Sequence, residues 1–296
     1  MKSRNPFNST SYSDQEDLDW IRKTLDGDKH GLESLIQAHQ GYIYNLAMKM
    51  TNNVADAQDV TQEILIKIIS NLSKYDSSKG RFRTWLYRIT FNHILNLKKQ
   101  SYEKLVSGFD EFFDYIEGSA VVELSQAEEG ELEQEIKEST IACMSGMIMC
   151  LDREQRLTFI VGAVFEIDHN LAADIFAIRP ENFRKRLSRA RADLYHWMSS
   201  KCGLVNTANA CRCPKKTKGF IANGWVTPGN LKWNSDYQYR ISELLEAKVD
   251  TVLLARDDIY TKLFQEHPFK ESTRSGDVLK EILSNRTLSE VFDLDG

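Results

Sequence analysis

The sequence predicts an all-α protein: two helical domains joined by an acidic linker, followed by a mostly helical C-terminal extension. Three observations support this fold class. Proline and glycine are sparse, at five and fifteen in 296 residues. No proline occurs between about Asp17 and Lys99. Apolar residues recur at helical three-to-four spacing through much of the chain.

The elements follow in order. Residues 1–15 are rich in Ser, Asn and Asp and read as a disordered lead-in. Residues 16–100 read as the first domain. Leu35, Ile36, Ile43, Leu46, Ala47 and Met50 fit one helix face, and Val60, Ile64, Leu65, Ile68, Ile69 and Leu72 fit a second. Leu86, Ile89, Thr90, His93, Ile94 and Leu97 continue the pattern in a third. Residues 101–134 change character: from Glu103 to Glu138 twelve acidic residues stand against Lys104 and Lys137. With weak periodicity, this segment reads as a linker with transient helix. Residues 135–200 read as a second helical domain. Asp168–Met198 there forms two helices around a break at Ala177-Ile178-Arg179, with Pro180 starting the second. Residues 201–296 form the extension, poor in helix signals up to about Trp233 and amphipathic over Tyr239–Phe264 and Ser275–Phe292.

Hydrophobic content of 42% and charged content of 27% are ordinary for a globular chain. No uninterrupted apolar run approaches the roughly 18 residues that span a bilayer, and the N-terminus lacks an apolar signal core. The expectation is a cytoplasmic protein with no membrane insertion. Its five cysteines, an odd number, would be kept mostly as thiols in a reducing compartment. A net charge of −5 argues weakly against nucleic-acid binding, but the mean hides segregation. Arg179–Arg191 holds six basic residues against Glu181 alone.

Two motifs carry chemistry. Lys79, Arg81, Phe82, Arg83, Trp85, Tyr87 and Arg88 lie within ten residues. Cations suit phosphates and aromatic faces suit unstacked bases, so the mixture points to single-stranded or melted nucleic acid. Trp85 would serve equally as core beside Leu86 and Ile89. Just before, Asp59 and Glu63 stand four apart on one helix face, placed for basic partners. The second motif, Leu171–Trp197, has the outline of a helix-turn-helix. Leu171, Ile175, Ile178, Phe183 and Leu187 are spaced to pack two short helices. Glu181, Asn182, Arg184, Lys185, Ser188 and Arg189 would be exposed to reach a major groove. Ala177 occupies a turn position where many such motifs carry glycine, and Arg179 is a poor N-cap residue.

Together, DAQDVTQEILIKII, FRTWLYRITFN, the acidic linker and the basic helix-turn-helix resemble the sigma-70 family of bacterial transcription initiation factors, in its two-domain extracytoplasmic-function type. The resemblance covers about residues 16–200. It implies that residues 16–100 are region 2 and residues 135–200 are region 4. By the resemblance, Asp56, Asp59, Gln62 and Glu63 dock on the clamp helices of core RNA polymerase. The loop from Lys74 to Phe82 would capture a flipped base of the −10 element, for which an extruded-base pocket offsets part of the melting cost. Lys79, Arg81, Arg83, Trp85, Arg88 and Asn92 are the implied −10 contacts. Glu181, Asn182, Arg184, Lys185, Ser188 and Arg189 are the candidate −35 contacts. The acidic linker would imitate nucleic acid in a basic channel of the polymerase. Region 4 would also dock on the β-subunit flap, with Leu151, Phe159 and Phe165 as flap contacts or core.

The expected partners are core RNA polymerase and promoter DNA, with control by an anti-sigma factor or by self-inhibition through residues 201–296. No catalytic residue is expected, since no hydrolase triad, P-loop or GxGxxG pattern occurs. No cofactor is required. Cys202, Cys211 and Cys213 are the metal candidates, zinc being the ion that thiolates would select, with a fourth ligand from His196, Cys143, Cys150, His169 or His267. A redox-responsive pair and plain structural cysteines are the other readings, and nearby Arg212, Lys215, Lys216 and Lys218 would lower thiol pKa values. The competing function classes are a stand-alone helix-turn-helix regulator and a redox- or metal-sensing protein.

Overall fold

The computed structural model describes residues 5–8, 13–97, 108–230, 232 and 264–265. Among them the architecture is all-α, with no strand. The helices proposed for Tyr239–Phe264 and Ser275–Phe292 lie almost wholly outside the described residues.

The chain groups into two compact units that do not follow the segments expected from sequence. One contains the described residues of Met1–Gln100 with Ile160–Arg184, and the other those of Ser101–Phe159 with Lys185–Lys270.

In the first unit, α1 (Asp14–Leu25) starts at a capping box. The Glu16 N–H donates to the Ser13 hydroxyl while the Ser13 N–H donates to the Glu16 carboxylate. The ordered helix therefore begins inside the segment expected as lead-in. Asp28 caps α2 (Lys29–Thr51), which ends at Asn52 in the left-handed region at φ 52°. Asn53 caps α3 (Val54–Ser70), and α4 (Phe82–Asn96) follows a polar loop. Leu32, Ile43, Leu46, Ala47, Ile64 and Leu72 are fully buried where these helices meet. Burial of such a side chain is worth about 1.5–3 kcal/mol, so the apolar stripe read from sequence is what assembles the bundle.

A buried polar network crosses this core. Arg83 Nε donates to Asp17 Oδ2 at 3.0 Å and Arg83 Nη1 to the Pro6 carbonyl at 3.0 Å. His39 Nε2 lies 3.0 Å from Asp17 Oδ1, and Asp14 Oδ1 is 3.7 Å from Arg83 Nε. The network ties α1, α2 and α4 together.

Residues 160–184 pack on α4 within the same unit. A π-helical turn (Ile160–Val164) leads to α9 (His169–Ile175), capped by the Asp168 carboxylate, which accepts from the Asn170 and Leu171 N–H groups. Ala177 follows at φ 53°, and α10 (Pro180–Lys201) begins at Pro180. The helix-turn-helix outline is present, with Ile175, Phe183 and Leu187 buried and Leu171 and Ile178 half-buried. Phe176 joins Phe91 of α4 to Phe183, with ring centroids 5.0 and 5.6 Å apart.

In the second unit, the segment expected as a linker with transient helix instead forms α5 (Phe109–Gly118), α6 (Gln126–Glu131) and the start of α7 (Glu133–Cys150). The physical reason is an apolar face that the acidic composition obscured: Phe112, Phe113 and Ile116 are buried. Phe109 and Phe113 stack on Trp197 at 5.6 and 5.5 Å. After α8 (Arg153–Phe159) and α10, the chain forms a loop and then α11 (Cys213–Ala222). Carboxylates of the acidic segment pair with lysines of this region: Glu117 with Lys201, Glu123 with Lys215, and Glu128 with Lys218. Lys216, almost fully buried, donates to the Ser119 and Glu117 carbonyls at 2.7 and 3.2 Å. It thereby satisfies carbonyls at the end of α5. Gly219 is needed at this contact, since a Cβ there would lie 2.5 Å from the Ala120 carbonyl oxygen.

Candidate functional site

The acidic face of α3 presents Asp59 and Glu63 to solvent, with Asp56 and Gln62 half-buried beside them. All four lie along one helix whose opposite side, Val60, Ile64 and Leu65, is core. Glu63 is joined to His93 of α4 at 3.1 Å. Burial holds the His93 imidazole below its ordinary pKa, with Lys67 acting in the same direction and Glu63 opposing both.

Between α3 and α4, a 3-10 turn (Leu72–Lys74) opens the loop that carries the basic and aromatic residues. Asp76 organises it. Its carboxylate accepts from the Ser78 hydroxyl and N–H at 2.6 and 3.0 Å and pairs with Lys79 at 3.1 Å. These hydrogen bonds, the Ser78 hydroxyl first, hold Asp76 down at about 2. The Tyr75 hydroxyl donates to the Gly80 carbonyl at 3.0 Å, and Gly80 adopts φ 156°, which favours glycine. Tyr75, Phe82 and Trp85 form an aromatic cluster with centroid separations of 5.3–5.6 Å.

The candidate −10 residues divide by exposure. Lys79, Arg81, Arg88 and Asn92 are exposed, and Trp85 is half-buried in the aromatic cluster. Arg83 is different: its side chain is 4% exposed and its guanidinium is committed to Asp17 and the Pro6 carbonyl. Tyr87, one of the aromatics grouped with the motif, is fully buried. A helix starting at Phe82 turns positions 83 and 87 together into the bundle. Arg81 is 3.5 Å from Asp14. Arg88 is engaged by the α9 end of the helix-turn-helix: its guanidinium reaches Asp174 Oδ1 at 2.6 Å and the Asp174 carbonyl at 3.3 Å.

On α10, Glu181, Asn182, Arg184, Lys185, Ser188 and Arg189 are all exposed, and Arg184 pairs with Glu181 at 3.3 Å. Leu151, Phe159 and Phe165 are buried core residues rather than a docking surface. Asp14, Asp17, His39 and Asp174 escaped sequence reasoning. Each acts through a partner distant in the chain, and no local spacing signals it.

Cys143, Cys202, Cys211 and Cys213 line one small cavity in the second unit. Among the described residues no three potential ligands are gathered closely enough to hold a metal ion. Burial pushes the Cys202 and Cys211 thiols up, and Cys213 to about 12. The lowered thiol pKa values expected from nearby lysines and arginines are thus corrected, because desolvation outweighs those charges. Of the fourth-ligand candidates, only Cys143 joins this cavity; His267 lies outside the described residues.

Among the described residues no helix is long and apolar enough to cross a membrane.

The profile of sigma-70 region 2 matches residues 35–102. The chain is 33% identical over 72 residues to the ECF RNA polymerase sigma factor SigW of Bacillus subtilis, a match covering 24% of this chain and 38% of that protein. It is 23% identical over 197 residues to the ECF RNA polymerase sigma factor SigE of Mycolicibacterium smegmatis, covering 62% of this chain and 72% of that protein. It is also 26% identical over 183 residues to the RNA polymerase sigma-H factor of Pseudomonas aeruginosa, covering 60% and 91%. With the helical bundle of α2–α4 lying under it, residues 35–102 match sigma-70 region 2, and the chain is similar to RNA polymerase sigma factors of the extracytoplasmic-function type.

Proposed function

We propose that this protein is a transcription initiation factor that binds core RNA polymerase and directs it to promoters with −10 and −35 elements, acting by binding rather than by catalysis. The observation that carries the reading is the layout of the segment matched to region 2. One bundle exposes an acidic face on α3 and, one loop later, a separate basic and aromatic surface. In this reading Asp59 and Glu63 face polymerase, with Asp56 and Gln62 flanking them. Lys79, Arg81, Arg88 and Asn92 face the melted −10 strand, with Trp85 at its edge, while Arg83 holds the bundle together behind them. Glu181, Asn182, Arg184, Lys185, Ser188 and Arg189 of α10 face the −35 duplex.

The engagement of Arg88 by Asp174 supports a closed resting arrangement of the first unit, in which the −10 surface is partly occupied by residues 160–184. Promoter binding then requires this contact to open. Control by residues 201–296 or by an anti-sigma factor belongs to the same proposal. The pairing of Lys201, Lys215 and Lys218 with the acidic segment supports it, because those carboxylates are not free to imitate nucleic acid while so paired.

Run-off transcription with purified core polymerase tests the reading, using the full chain and a truncation after Ser200. Charge reversal at Asp59 and Glu63 should weaken polymerase binding. Arg184→Ala with Arg189→Ala should spare that binding, weaken promoter binding and reduce its salt dependence. No polymerase binding together with tight binding to duplex DNA would instead favour a stand-alone regulator.

A further inference from the structure

Four of the five cysteines converge from four segments of the second unit onto one apolar cavity, whose walls include Phe113 and Phe220. Cys143 comes from α7, Cys202 from the end of α10, Cys211 from the following loop, and Cys213 from the first position of α11. Two of them are specially placed. Cys202 and Cys211 are partners across an isolated parallel bridge. Bridged backbones lie about 4.8 Å apart, inside the roughly 4.4–6.8 Å Cα window of a disulfide. Residues paired across a bridge point their side chains to the same face.

The loop between them is built to hold this approach. The Asn209 side chain donates to the Ser199 and Cys202 carbonyls at 3.0 and 3.2 Å. The Asn206 side chain donates to the Ser199 carbonyl at 2.9 Å. Arg212 donates to the Thr207 and Cys211 carbonyls at 2.7 and 2.9 Å and also to that of Asn209. Gly203 leaves no room for a Cβ against the Cys211 carbonyl and the Arg212 guanidinium. Any larger residue there would force the two backbones apart.

We propose that Cys202 and Cys211 are a reversible disulfide site, closed by a hydroperoxide. A sulfur atom of one cysteine, as thiolate, attacks the peroxide oxygen and breaks the O–O bond. This forms a sulfenic acid and releases water once the leaving oxygen takes up the thiol proton. The second thiolate attacks the sulfenic sulfur, forms the S–S bond and expels the hydroxyl, which takes the second thiol proton as water. Two thiols and one hydrogen peroxide give one disulfide and two waters; sulfur loses two electrons and the peroxide gains them. Cys211 is the better first nucleophile. Lys216 and Arg212 stabilise its thiolate against the effect of burial, whereas Cys202 is the more deeply enclosed of the two. The amides of Leu204 and Val205 favour the thiolate of Cys202 in the second step. The crosslink would pin the exit of α10 to the residues that start α11.

The test treats the full-length protein with hydrogen peroxide, alkylates the remaining thiols under denaturing conditions, and maps peptides by mass spectrometry before and after dithiothreitol. The expected result is two of five thiols protected, a single linked pair of peptides carrying Cys202 and Cys211, and full return of both thiols on reduction. Cys143→Ser and Cys213→Ser should still protect two thiols, whereas Cys202→Ser or Cys211→Ser should protect none. The wild-type peptide map carries the test even where a variant fails to fold. Full alkylation of all five thiols, a linkage through Cys143 or Cys213, or crosslinks only between chains would overturn the proposal. So would a stoichiometric zinc ion in the purified protein that must be removed before any thiol reacts, because the cavity would then be a metal site.

Discussion

Replacing Arg83 with methionine separates a structural role from a DNA contact. The Arg83 side chain is 4% exposed and Asp17 is fully buried. The substitution keeps most of the apolar stem but removes the guanidinium, so Asp17 loses its 3.0 Å partner and retains His39. The Pro6 carbonyl also loses its 3.0 Å donor. Removing one member of a buried ion pair costs about 3–5 kcal/mol, because the remaining charge is left without its partner in low dielectric. That is a large share of the roughly 5–15 kcal/mol by which a domain is stable. The companion substitution Asp17→Asn should be destabilising alone, and the double variant should lose less than the sum of the singles. Urea unfolding followed by circular dichroism measures all three, with hydrogen exchange of α1 and α4 locating the loss. Arg81→Ala, on an exposed side chain, should change stability by under about 0.5 kcal/mol. The reasoning is refuted if Arg83→Met leaves stability unchanged yet selectively abolishes promoter binding, for then Arg83 reaches DNA rather than Asp17.

Three further outcomes are expected. Ala177 sits at φ 53°, where an L-residue costs about 1–2 kcal/mol. After glycine's added unfolded-state entropy, Ala177→Gly should stabilise by about 0.5–1 kcal/mol in thermal or urea unfolding, and a destabilised variant would contradict the turn geometry. Asp174→Asn should change stability by less than about 1 kcal/mol, as its pair with Arg88 is half exposed. If the closed arrangement limits promoter access, the same variant should bind a −10 single strand more tightly in fluorescence anisotropy. His93 is held below its ordinary value of about 6.5 chiefly by burial, so the unfolded chain binds its proton more readily than the folded one. Its contribution is therefore complete above that value and is lost as pH falls through the lower, folded one. Glu63→Gln, which removes the carboxylate that opposes the shift, should deepen this acid loss in urea unfolding at pH 5 against pH 8.

Much of the region 2 bundle was legible in sequence because helical periodicity is a local property. Ile43 and Leu46 are spaced on one helical stripe and Ile64 and Ile68 on a second, and all four are buried. The break at Ala177 and the helix start at Pro180 were legible for the same reason, since proline and a turn act on their own neighbours. The acidic segment misled because composition averages over faces. Phe112, Phe113 and Ile116 lie three and four apart among carboxylates, enough to bury one side of α5.

Sequence by itself determined the all-α class, the helices of the first bundle and the residues proposed to meet polymerase or DNA, because spacing and side-chain chemistry belong to the chain. Only the tertiary structure decided which of those residues are available. It turned Arg83 inward to Asp17, placed Asp174 against Arg88, and brought Cys202 beside Cys211 on a cavity shared with Cys143. Each pairing joins groups that the sequence lists separately, and whether a charge or a thiol faces water or a partner is set by what packs against it.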